Sequence, residues 1–385
     1  MAGDLRKLFL LDPSIHFLNH GSFGACPKEV FEVYQNWQRK LEAQPVLFLG
    51  REIQSFDQEA RHALGEYLHV SGDNLVFVPN ATYGVNIVAR SLPLKTDDEI
   101  LTTNHEYGAC DYTWEFVCAK TGARYVHQEI SIPVHSSDEM LEEFWMGVTP
   151  RTKIIYLSHI TSPTALTLPI AKICERARKA GILTLVDGAH TPGQIDLNLE
   201  QIGADWYVGN CHKWLMSPKG AGFLYARSEV QNMIEPLVIS WGFRTQSQYS
   251  AGSQFLDFLG WTGTKDPAAY LSVPSAIRFA EEHDWNTVRR TCHDLLRQTL
   301  VRICDLVSME PLYPMGSDLF HQMGIAPLPP RTDLVSLKTR LYEEFKVEVP
   351  VIDWNGRKFI RISVQGYNTQ DDLDALLSGL GKILD

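Results

Sequence analysis

Between residues 75 and 226 the chain alternates between short apolar runs and segments with helical spacing, and this alternation constrains the fold most. The apolar runs have the length and composition of buried strands. They cover residues 75–78, 99–103, 124–128, 153–158, 182–187, 205–208 and 222–226. Strands that are separated by helices pair in parallel, so the pattern predicts an α/β fold with a doubly wound, mainly parallel sheet.

Two of these runs are followed by residues that suit catalysis. Asp187 closes the run at 182–187 and is followed by His190, whereas Lys213 stands between His212 and Trp214, after the run at 205–208. The carboxyl end of a buried parallel strand faces the crevice in which open α/β sheets bind ligands. Burial there lowers the pKa of a lysine and makes its amine a usable nucleophile. The alternative is a surface lysine beside a core tryptophan.

A nucleophilic lysine and a buried aspartate together suit pyridoxal 5′-phosphate (PLP), because the lysine forms a Schiff base and the aspartate pairs with the pyridinium nitrogen. The stretches around Asp187 and Lys213 resemble the cofactor site of the class-V aminotransferase family, and the resemblance covers nearly the whole chain. It implies the type I fold of PLP-dependent transferases, with helices on both faces of the large sheet and a smaller α+β domain at the C-terminus. It also implies that His190 hydrogen-bonds the ring hydroxyl of PLP.

The turn after the run at 75–78 corresponds to the phosphate site of the family. Ala81 and Thr82 open the following helix, and free amides at a helix N-terminus bind phosphate. A simple N-cap by Asn80 or Thr82 is the alternative. The resemblance also assigns Asn210 and His212, beside the lysine, to cofactor binding.

An aromatic ring covers the pyridoxal ring in this family, at a position just beyond the run at 99–103. His105 and Tyr107 both fit that position, and the sequence leaves the choice between them open. The alternative is a strand-end histidine and a core tyrosine. Ser162 stands where the cysteine desulfurases of the family have an asparagine that contacts the ring hydroxyl. A serine would make that contact through water.

Substrate recognition is expected in two segments. Residues 15–24 form an apolar run and a glycine-containing loop that in the family enters the active site, so Asn19 and His20 are candidates for substrate binding. Arg361 lies on a predicted strand at 359–364, where the arginine of the family binds the substrate α-carboxylate with a planar fork. The alternatives are an ordinary turn and a surface ion pair.

The remaining patterns concern domains and assembly. We expect an N-terminal segment, residues 1–20, that packs with the small domain, a large PLP-binding domain, residues 21–266, and a small domain, residues 267–385. Residues 240–266 are predicted to be irregular and residues 326–334 to be a proline-rich linker. Gly263 and Thr264 match a segment that in the family reaches the phosphate site of the partner, which implies a homodimer with shared active sites. An ordinary surface loop is the alternative.

Composition argues against several other classes of protein. The net charge is −11 and no basic block recurs, which argues against nucleic-acid and anionic-membrane partners. No apolar run approaches the ~18 residues of a membrane span, and the N-terminus is too interrupted for a signal peptide. The seven cysteines are scattered without a CxxC pair, so we expect reduced thiols, no metal site and a cytoplasmic location.

The expected chemistry starts with loss of the Cα proton of an amino-acid substrate. Stretches 19–21 and 104–107 most resemble isopenicillin-N-epimerase-like enzymes, so epimerisation is the first hypothesis, with Tyr107 as the acid on the face away from Lys213. β-Elimination from a cysteine conjugate or sulfoxide by a C–S lyase, and transamination, are the alternatives. A persulfide-forming desulfurase is disfavoured because residues 305–385 contain no cysteine. A non-catalytic PLP-binding protein would lack Lys213, Asp187 or Arg361, and none is missing.

Overall fold

The computed structural model describes residues 5–244 and 250–384. Its strands are β1 (His16–Phe17), β2 (Leu75–Val78), β3 (Glu99–Thr103), β4 (Arg124–Gln128), β5 (Thr152–Ser158), β6 (Leu183–Gly188), β7 (Trp206–Asn210), β8 (Gly222–Ala226), β9 (Met323–Pro327), β10 (Val347–Glu348), β11 (Val351–Trp354) and β12 (Arg357–Ser363). Its α-helices of seven residues or more are α1 (Lys28–Ala43), α2 (Ile53–Leu68), α3 (Ala81–Ser91), α4 (Gly108–Thr121), α5 (Ser137–Trp145), α6 (Ile170–Lys179), α7 (Gln254–Gly260), α8 (Val273–Glu282), α9 (Trp285–Val307), α10 (Leu334–Phe345) and α11 (Gln370–Leu384). None of these helices combines the length and the apolar character that crossing a membrane requires.

A seven-stranded sheet in the order β2-β8-β7-β6-β5-β3-β4 forms the centre of the fold. The pairs from β7 through β6, β5 and β3 to β4 are parallel, whereas β8 runs antiparallel to both of its neighbours, β2 and β7. The predicted strands between residues 75 and 226 coincide with β2 to β8 to within two residues. The prediction of a doubly wound, mainly parallel α/β sheet is therefore confirmed.

Side chains that alternate along the strands pack the sheet against helices on both faces. Ile154 and Tyr156 of β5 belong to one core, together with residues of α3 and α4. Ile155 and Leu157 of the same strand belong to a second core, together with residues of α1, α2 and α6. All four side chains are buried, as expected where helices cover both faces of a parallel sheet.

The C-terminal part of the chain forms an antiparallel sheet in the order β11-β12-β9. Strand β1, from the start of the chain, pairs in parallel with β10 of this part. The main chain extends the contact, because the Leu18 amide donates to the Glu348 carbonyl (3.0 Å) and the Ser363 amide donates to the Leu18 carbonyl (2.9 Å). The N-terminal segment is thus joined to C-terminal elements. The domain boundaries at residues 20 and 266 stay a prediction.

Three elements differ from the sequence prediction. Residues 240–266, predicted to be irregular, contain a 3₁₀ turn (Trp241–Arg244) and α7, whose N-cap Ser253 accepts from the Leu256 amide (3.2 Å). Helix α5 lies where the pattern predicts no element, and Ser136 caps it in the same way. The predicted linker at 326–334 begins inside β9. Pro327 is tolerated there because β9 is an edge strand.

Asp372, in the first turn of α11, fastens the N-terminal segment. Its carboxylate accepts from Arg6 Nη1 (3.0 Å), lies 2.7 Å from His16 Nδ1 and accepts from the Thr369 amide (3.0 Å). Burial by itself would raise the pKa of this carboxyl. The hydrogen bonds from Thr369, His16, Asn368 and Arg6 outweigh burial, so the pKa lies below its ordinary value of 3.8.

We expect Asp372→Asn to lower the free energy of unfolding by about 1–3 kcal/mol at neutral pH, because hydrogen bonds to a buried charge are lost. Since the folded-state pKa lies below the unfolded value, this contribution is complete above about pH 4 and is lost as the pH falls through the folded pKa. Urea denaturation of variant and wild type should therefore converge at low pH. The exposed neighbour Asp371 supplies the control, Asp371→Asn. A difference that does not depend on pH would contradict this role of Asp372.

Candidate active site

The carboxyl ends of three adjacent parallel strands define the candidate site. Ser158 at the end of β5 pairs with Asp187 of β6, and Asp187 pairs with Val208 of β7. Lys213 follows three residues after the end of β7. The register of the sheet therefore brings Asp187 and Lys213, the two residues singled out from the sequence, to one edge.

Lys213 has an environment that favours its neutral amine. Its Nζ lies 3.2 Å from Nε2 of His190. Burial lowers the pKa of Lys213 to about 8; the charge of Asp187 opposes this shift, and Arg361 adds to it. An amine with this pKa is a much better nucleophile and proton acceptor near neutral pH than an exposed lysine.

Asp187 is a buried carboxylate without an ion-pair partner. It is 4 % exposed, and its Oδ1 accepts from the Ala189 amide (2.9 Å). The Tyr156 hydroxyl and the Cys110 thiol donate to Oδ2 at 3.4 and 3.7 Å. No lysine, arginine or histidine of residues 5–244 and 250–384 forms a salt bridge with it, and burial raises its pKa. A protonated ring nitrogen would supply the missing cation, so the carboxylate fits PLP.

His190 lies between the lysine and a tryptophan. Its Nδ1 accepts from the indole Nε1–H of Trp214 (3.3 Å), and its Nε2 faces Lys213. Burial first, and then the charges of Lys213 and Arg361, hold the pKa of His190 well below its ordinary value. The imidazole is therefore neutral. This position is consistent with the predicted hydrogen bond to the ring hydroxyl of PLP.

In the turn between β2 and α3, Thr82 has donors that could bind a phosphate. The Ala81 amide donates to Asn210 Oδ1 (2.8 Å), and the Tyr83 amide donates to Asn80 Oδ1 (2.9 Å). Neither the amide nor the hydroxyl of Thr82 donates a hydrogen bond to any residue of the described ranges. Thr82 thus keeps both donors for an anion at the helix N-terminus. Asn80 is the N-cap, as one alternative predicted.

Two predicted cofactor contacts beside the lysine are engaged with the main chain. Asn210 uses Oδ1 to hold the Ala81 amide, so it positions α3 and leaves Ala81 without a free donor. The Nδ1 atom of His212 lies 3.0 Å from the Ala221 carbonyl oxygen, and burial lowers the pKa of His212 to about 4. Within the described ranges its Nε2 has no hydrogen-bond partner, so this nitrogen is the part of His212 that a cofactor could reach.

The structure distinguishes the two candidates for the ring that covers the cofactor. His105 is 0 % exposed; its Nδ1 lies 2.8 Å from the Thr164 hydroxyl and its Nε2 2.9 Å from the Ile130 carbonyl. Its ring also packs against Trp354, with the centroids 4.4 Å apart. Tyr107, at the N-terminus of α4, is 46 % exposed. His105 therefore has no free face, and Tyr107 is the candidate for stacking on the cofactor.

Arg361 is a buried guanidinium that faces no carboxylate. It is 6 % exposed, and Nη1 donates to the carbonyl and hydroxyl of Ser162 (2.6 and 3.1 Å) while Nη2 donates to the Ser22 hydroxyl (3.2 Å). Its Nε has no partner in the part of the chain that the structure describes. Burial lowers its pKa to about 10, which still leaves it charged at neutral pH. Ser162 therefore contacts Arg361, and its water-mediated contact with the cofactor stays a prediction.

The predicted substrate residues of the N-terminal loop, Asn19 and His20, form hydrogen bonds within the protein. Asn19 donates to Glu348 Oε1 (3.0 Å) and accepts from the Ser22 hydroxyl (2.5 Å). His20 is fully buried; its Nε2 lies 3.0 Å from the Lys213 carbonyl and its Nδ1 2.9 Å from the Tyr367 hydroxyl. Substrate binding by Asn19 and His20 stays a prediction. Through these contacts the loop supports Lys213 and the Ser22 hydroxyl.

Gly263 and Thr264 follow α7 in a turn in which Gly263 has a φ of 115°. Thr264 is exposed, and it makes no hydrogen bond with any residue that the structure describes. The structure does not bring this turn into contact with Lys213 of the same chain. Both residues are available to a neighbouring molecule, which keeps the shared-site hypothesis as a proposal.

Sequence reasoning missed several residues that build the site. Ser22 and Trp214 contact Arg361 and His190 directly, as described above. Glu106 is buried and accepts from the Thr103 hydroxyl (2.7 Å), the Ser158 amide (2.8 Å) and the Ser158 hydroxyl (2.6 Å). Burial raises its pKa to about 7. Glu106 therefore links the ends of β3 and β5, and it directly precedes Tyr107 in sequence. A carboxylate within residues 104–107, just after a buried strand, was the sequence feature that could have identified it.

Comparisons with known proteins agree with this site. A family model described as aminotransferase class-V matches residues 17–316. An isopenicillin N epimerase of Amycolatopsis lactamdurans is 34% identical over 98% of this chain and 97% of that protein. A probable chloroplastic L-cysteine desulfhydrase of Arabidopsis thaliana is 25% identical over 97% of this chain and 84% of that protein. A solved structure of a C-DES variant with glycine covalently linked to its PLP cofactor has a TM-score of 0.83 and 20% identity, and covers 98% of this chain and 99% of that one.

We expect Lys213→Ala to abolish the visible absorption band of bound PLP after dialysis, because the covalent link to the cofactor is lost. The measurement is an absorption spectrum of purified protein before and after dialysis. Lys219→Ala is the matched control, since Lys219 is exposed and donates to the Gly24 carbonyl. A wild type that stays colourless after incubation with PLP would refute the assignment of the site.

Proposed function

This chain belongs to the class-V aminotransferase family, and we propose that it takes the Cα proton from an amino-acid substrate and returns a proton to the opposite face, as an epimerase. PLP is its cofactor. The 34% identity to an isopenicillin N epimerase over nearly the full length of both chains supports epimerisation as the first choice.

The observation that carries the proposal is the unpaired, buried guanidinium of Arg361. Breaking or omitting one partner of a buried ion pair costs several kcal/mol, so a buried arginine that lacks a carboxylate is expected to bind one. Its Nε is free, and Nη2 is held only by the Ser22 hydroxyl at 3.2 Å. A substrate α-carboxylate fits this fork in a bidentate manner.

The other side chains have distinct proposed tasks. Bound PLP supplies an electron sink for the pair of electrons that Cα keeps when its proton leaves. Asp187 holds the proton on the ring nitrogen, and Thr82 donates to the phosphate. Lys213, with a pKa of about 8, takes the Cα proton. Arg361 fixes the carboxylate and so favours loss of the Cα proton over decarboxylation.

Tyr107 is the proposed acid on the face away from Lys213. Its ring is half-exposed at the N-terminus of α4, and its hydroxyl makes no hydrogen bond with residues 5–244 or 250–384. A proton from this phenol would complete epimerisation at Cα. The same proton would assist the departure of a thiolate from Cβ in a C–S lyase. The relatives described as L-cysteine desulfhydrases favour the lyase as the second candidate.

A persulfide-forming desulfurase is disfavoured by the cysteines. Residues 305–385, which precede and include the Arg361 strand, contain none. Cys110 is the cysteine in contact with Asp187, and its thiol is fully buried. Burial, together with the charge of Asp187, raises its pKa well above the ordinary value, so its reactive thiolate is scarce. All seven thiols are free, which suits the proposed cytoplasmic location.

We expect Arg361→Lys to raise the KM for an amino acid about 10- to 100-fold, because the bidentate hydrogen bonds to the carboxylate are lost while the charge is kept. The visible band of bound PLP should persist. Arg357→Lys, on the exposed end of the same strand, is the control. Amines without a carboxylate that react as well as amino acids do would show that Arg361 has no such task.

We expect Tyr107→Phe to slow product formation about 10²- to 10⁴-fold while Cα–deuterium exchange in deuterium oxide is largely kept, since the phenol acts after the proton has left Cα. Product analysis with L-amino acids and with cysteine conjugates then separates epimerase from lyase. Tyr112, 71 % exposed on the same helix, supplies the control Tyr112→Phe. Equal losses in product and exchange would mean that Tyr107 acts before that step, by packing on the ring.

The proposed assembly is a homodimer in which Gly263 and Thr264 complete the phosphate site of the partner. If so, mixing Lys213→Ala with Thr264→Glu should restore up to about a quarter of the active sites, because mixed dimers hold one intact site. Mixing Lys213→Ala with Lys213→Arg, which share a defect, is the control and should restore none. A fully active monomer in sedimentation would rule out shared sites.

A further inference from the structure

Trp214, next to the lysine in sequence, has an unusual partner. Its side chain is fully buried, and its indole Nε1–H donates to Nδ1 of His190 (3.3 Å). The indoles of Trp206, Trp114 and Trp285 are also buried, but their Nε1–H groups have no partner in the described parts of the chain. The hydrogen bond is therefore not a general consequence of burying a tryptophan in this fold. We propose that Trp214 is a positioning residue that fixes His190 in the tautomer with its proton on Nε2.

The number of protons on the indole and the imidazole decides the tautomer of His190. An indole N–H can only donate, so Nδ1 of His190 must accept and cannot carry a proton. A neutral imidazole carries one proton, which must then be on Nε2. The charged and titratable groups that face His190 are Lys213, Arg361 and His20, and the cationic charges of the first two disfavour a second proton on the ring. Asp187 lies in β6, the strand that precedes His190, and its carboxylate accepts hydrogen bonds from the Ala189 amide and the Tyr156 hydroxyl, not from His190.

The position of the indole is itself fixed from the opposite side. The His20 ring packs on Trp214 with the centroids 4.9 Å apart, and His20 is tied to the Lys213 carbonyl and the Tyr367 hydroxyl. The N-terminal loop thus supports Trp214, and Trp214 orients His190. This gives His20 a task that is different from the substrate contact predicted for it.

The fixed tautomer has consequences on the Lys213 side of the ring. Nε2–H points to Lys213 Nζ, 3.2 Å away, and can donate only to an uncharged amine. It therefore favours the nucleophilic form of Lys213 over the ammonium. If PLP binds as in the proposed function, on which this step rests, the same N–H donates to the phenolic oxygen of the cofactor and cannot accept from it. Without the indole N–H, either ring nitrogen of His190 could carry the proton. With the proton on Nδ1, Nε2 could accept a hydrogen bond from the ammonium form of Lys213, which would become more stable.

The first test reads the tautomer directly. Full-length protein with ¹⁵N-labelled histidine is studied by long-range ¹H–¹⁵N correlation, at a pH above the pKa of about 8 of Lys213, with and without PLP. His190→Gln identifies the His190 signals by their loss. We expect the Nε2–H pattern in the wild type and in Trp206→Phe, and a mixture of the two tautomers in Trp214→Phe. An Nδ1–H pattern in the wild type would overturn the proposal even if no variant folds.

The second test uses the bound cofactor as a reporter. In Trp214→Phe the titration midpoint of the visible band should rise by about 0.4 to 1 pH unit, which corresponds to one net hydrogen bond. Trp206→Phe removes a buried indole N–H of the same kind that has no partner, so its midpoint should stay at the wild-type value. Equal midpoints in both variants, or an unchanged tautomer in Trp214→Phe, would contradict a positioning role.

The two tests separate this proposal from the proposed function. Failure of the wild type to bind PLP would defeat the function, yet the tautomer would still be readable in the cofactor-free chain. A protein that binds PLP and shows a visible band, but holds His190 in the Nδ1–H form, would keep the function and overturn the role of Trp214.

Discussion

The site depends on three charged groups that are removed from water without direct ion pairs among them: the half-buried Lys213 and the buried Asp187 at one edge of the large sheet, and the buried Arg361 on β12. Each of these groups loses hydration, which disfavours its charged form. The pKa values of Lys213 and Arg361 therefore lie below their ordinary values, and the pKa of Asp187 lies above its ordinary value. Such an arrangement reduces stability unless a ligand supplies the missing charges. PLP and an amino-acid carboxylate supply them, with a ring cation for Asp187 and an anion for Arg361. The unfavourable burial of these charges thus favours the binding of PLP and of the substrate carboxylate, and it makes the amine of Lys213 more reactive.

Most of the fold could be predicted because parallel sheets buried on both faces give a strong local signal. Strands β2 to β8 are short, apolar and separated by helices, so their positions follow from the sequence alone. The errors have local causes. Helices α5 and α7 are short and depend on the serine caps Ser136 and Ser253, which a periodicity argument does not weigh. Strand β9 ends in Pro327. A proline disfavours a central strand, so the sequence predicted a linker here, whereas the edge position of β9 tolerates it.

The residues of the site also fall into those that the sequence could identify and those that it could not. Residues that follow a strand end, such as Asp187 and Lys213, could be found from sequence because the sheet itself brings them together. Residues whose task depends on a distant partner could not. His20 contacts the Lys213 carbonyl 193 positions away, and Asn210 holds an amide 129 positions away. A single sequence does not reveal such pairs, so the sequence predicted only ligand contacts for these residues and not their contacts with the main chain.

The stretch from Asn210 to Trp214 shows how one segment can serve both chemistry and architecture. Asn210 holds the start of α3, His212 binds the Ala221 carbonyl next to β8, and Trp214 orients His190 beyond the end of β6. Lys213 is the member of this stretch whose side chain is proposed to bind the cofactor covalently. Because its neighbours fix three surrounding elements, the position of the amine is set by the fold. Because the proposed acid Tyr107 could serve either reaction, the difference between an epimerase and a C–S lyase must then come from the groups that surround the substrate side chain.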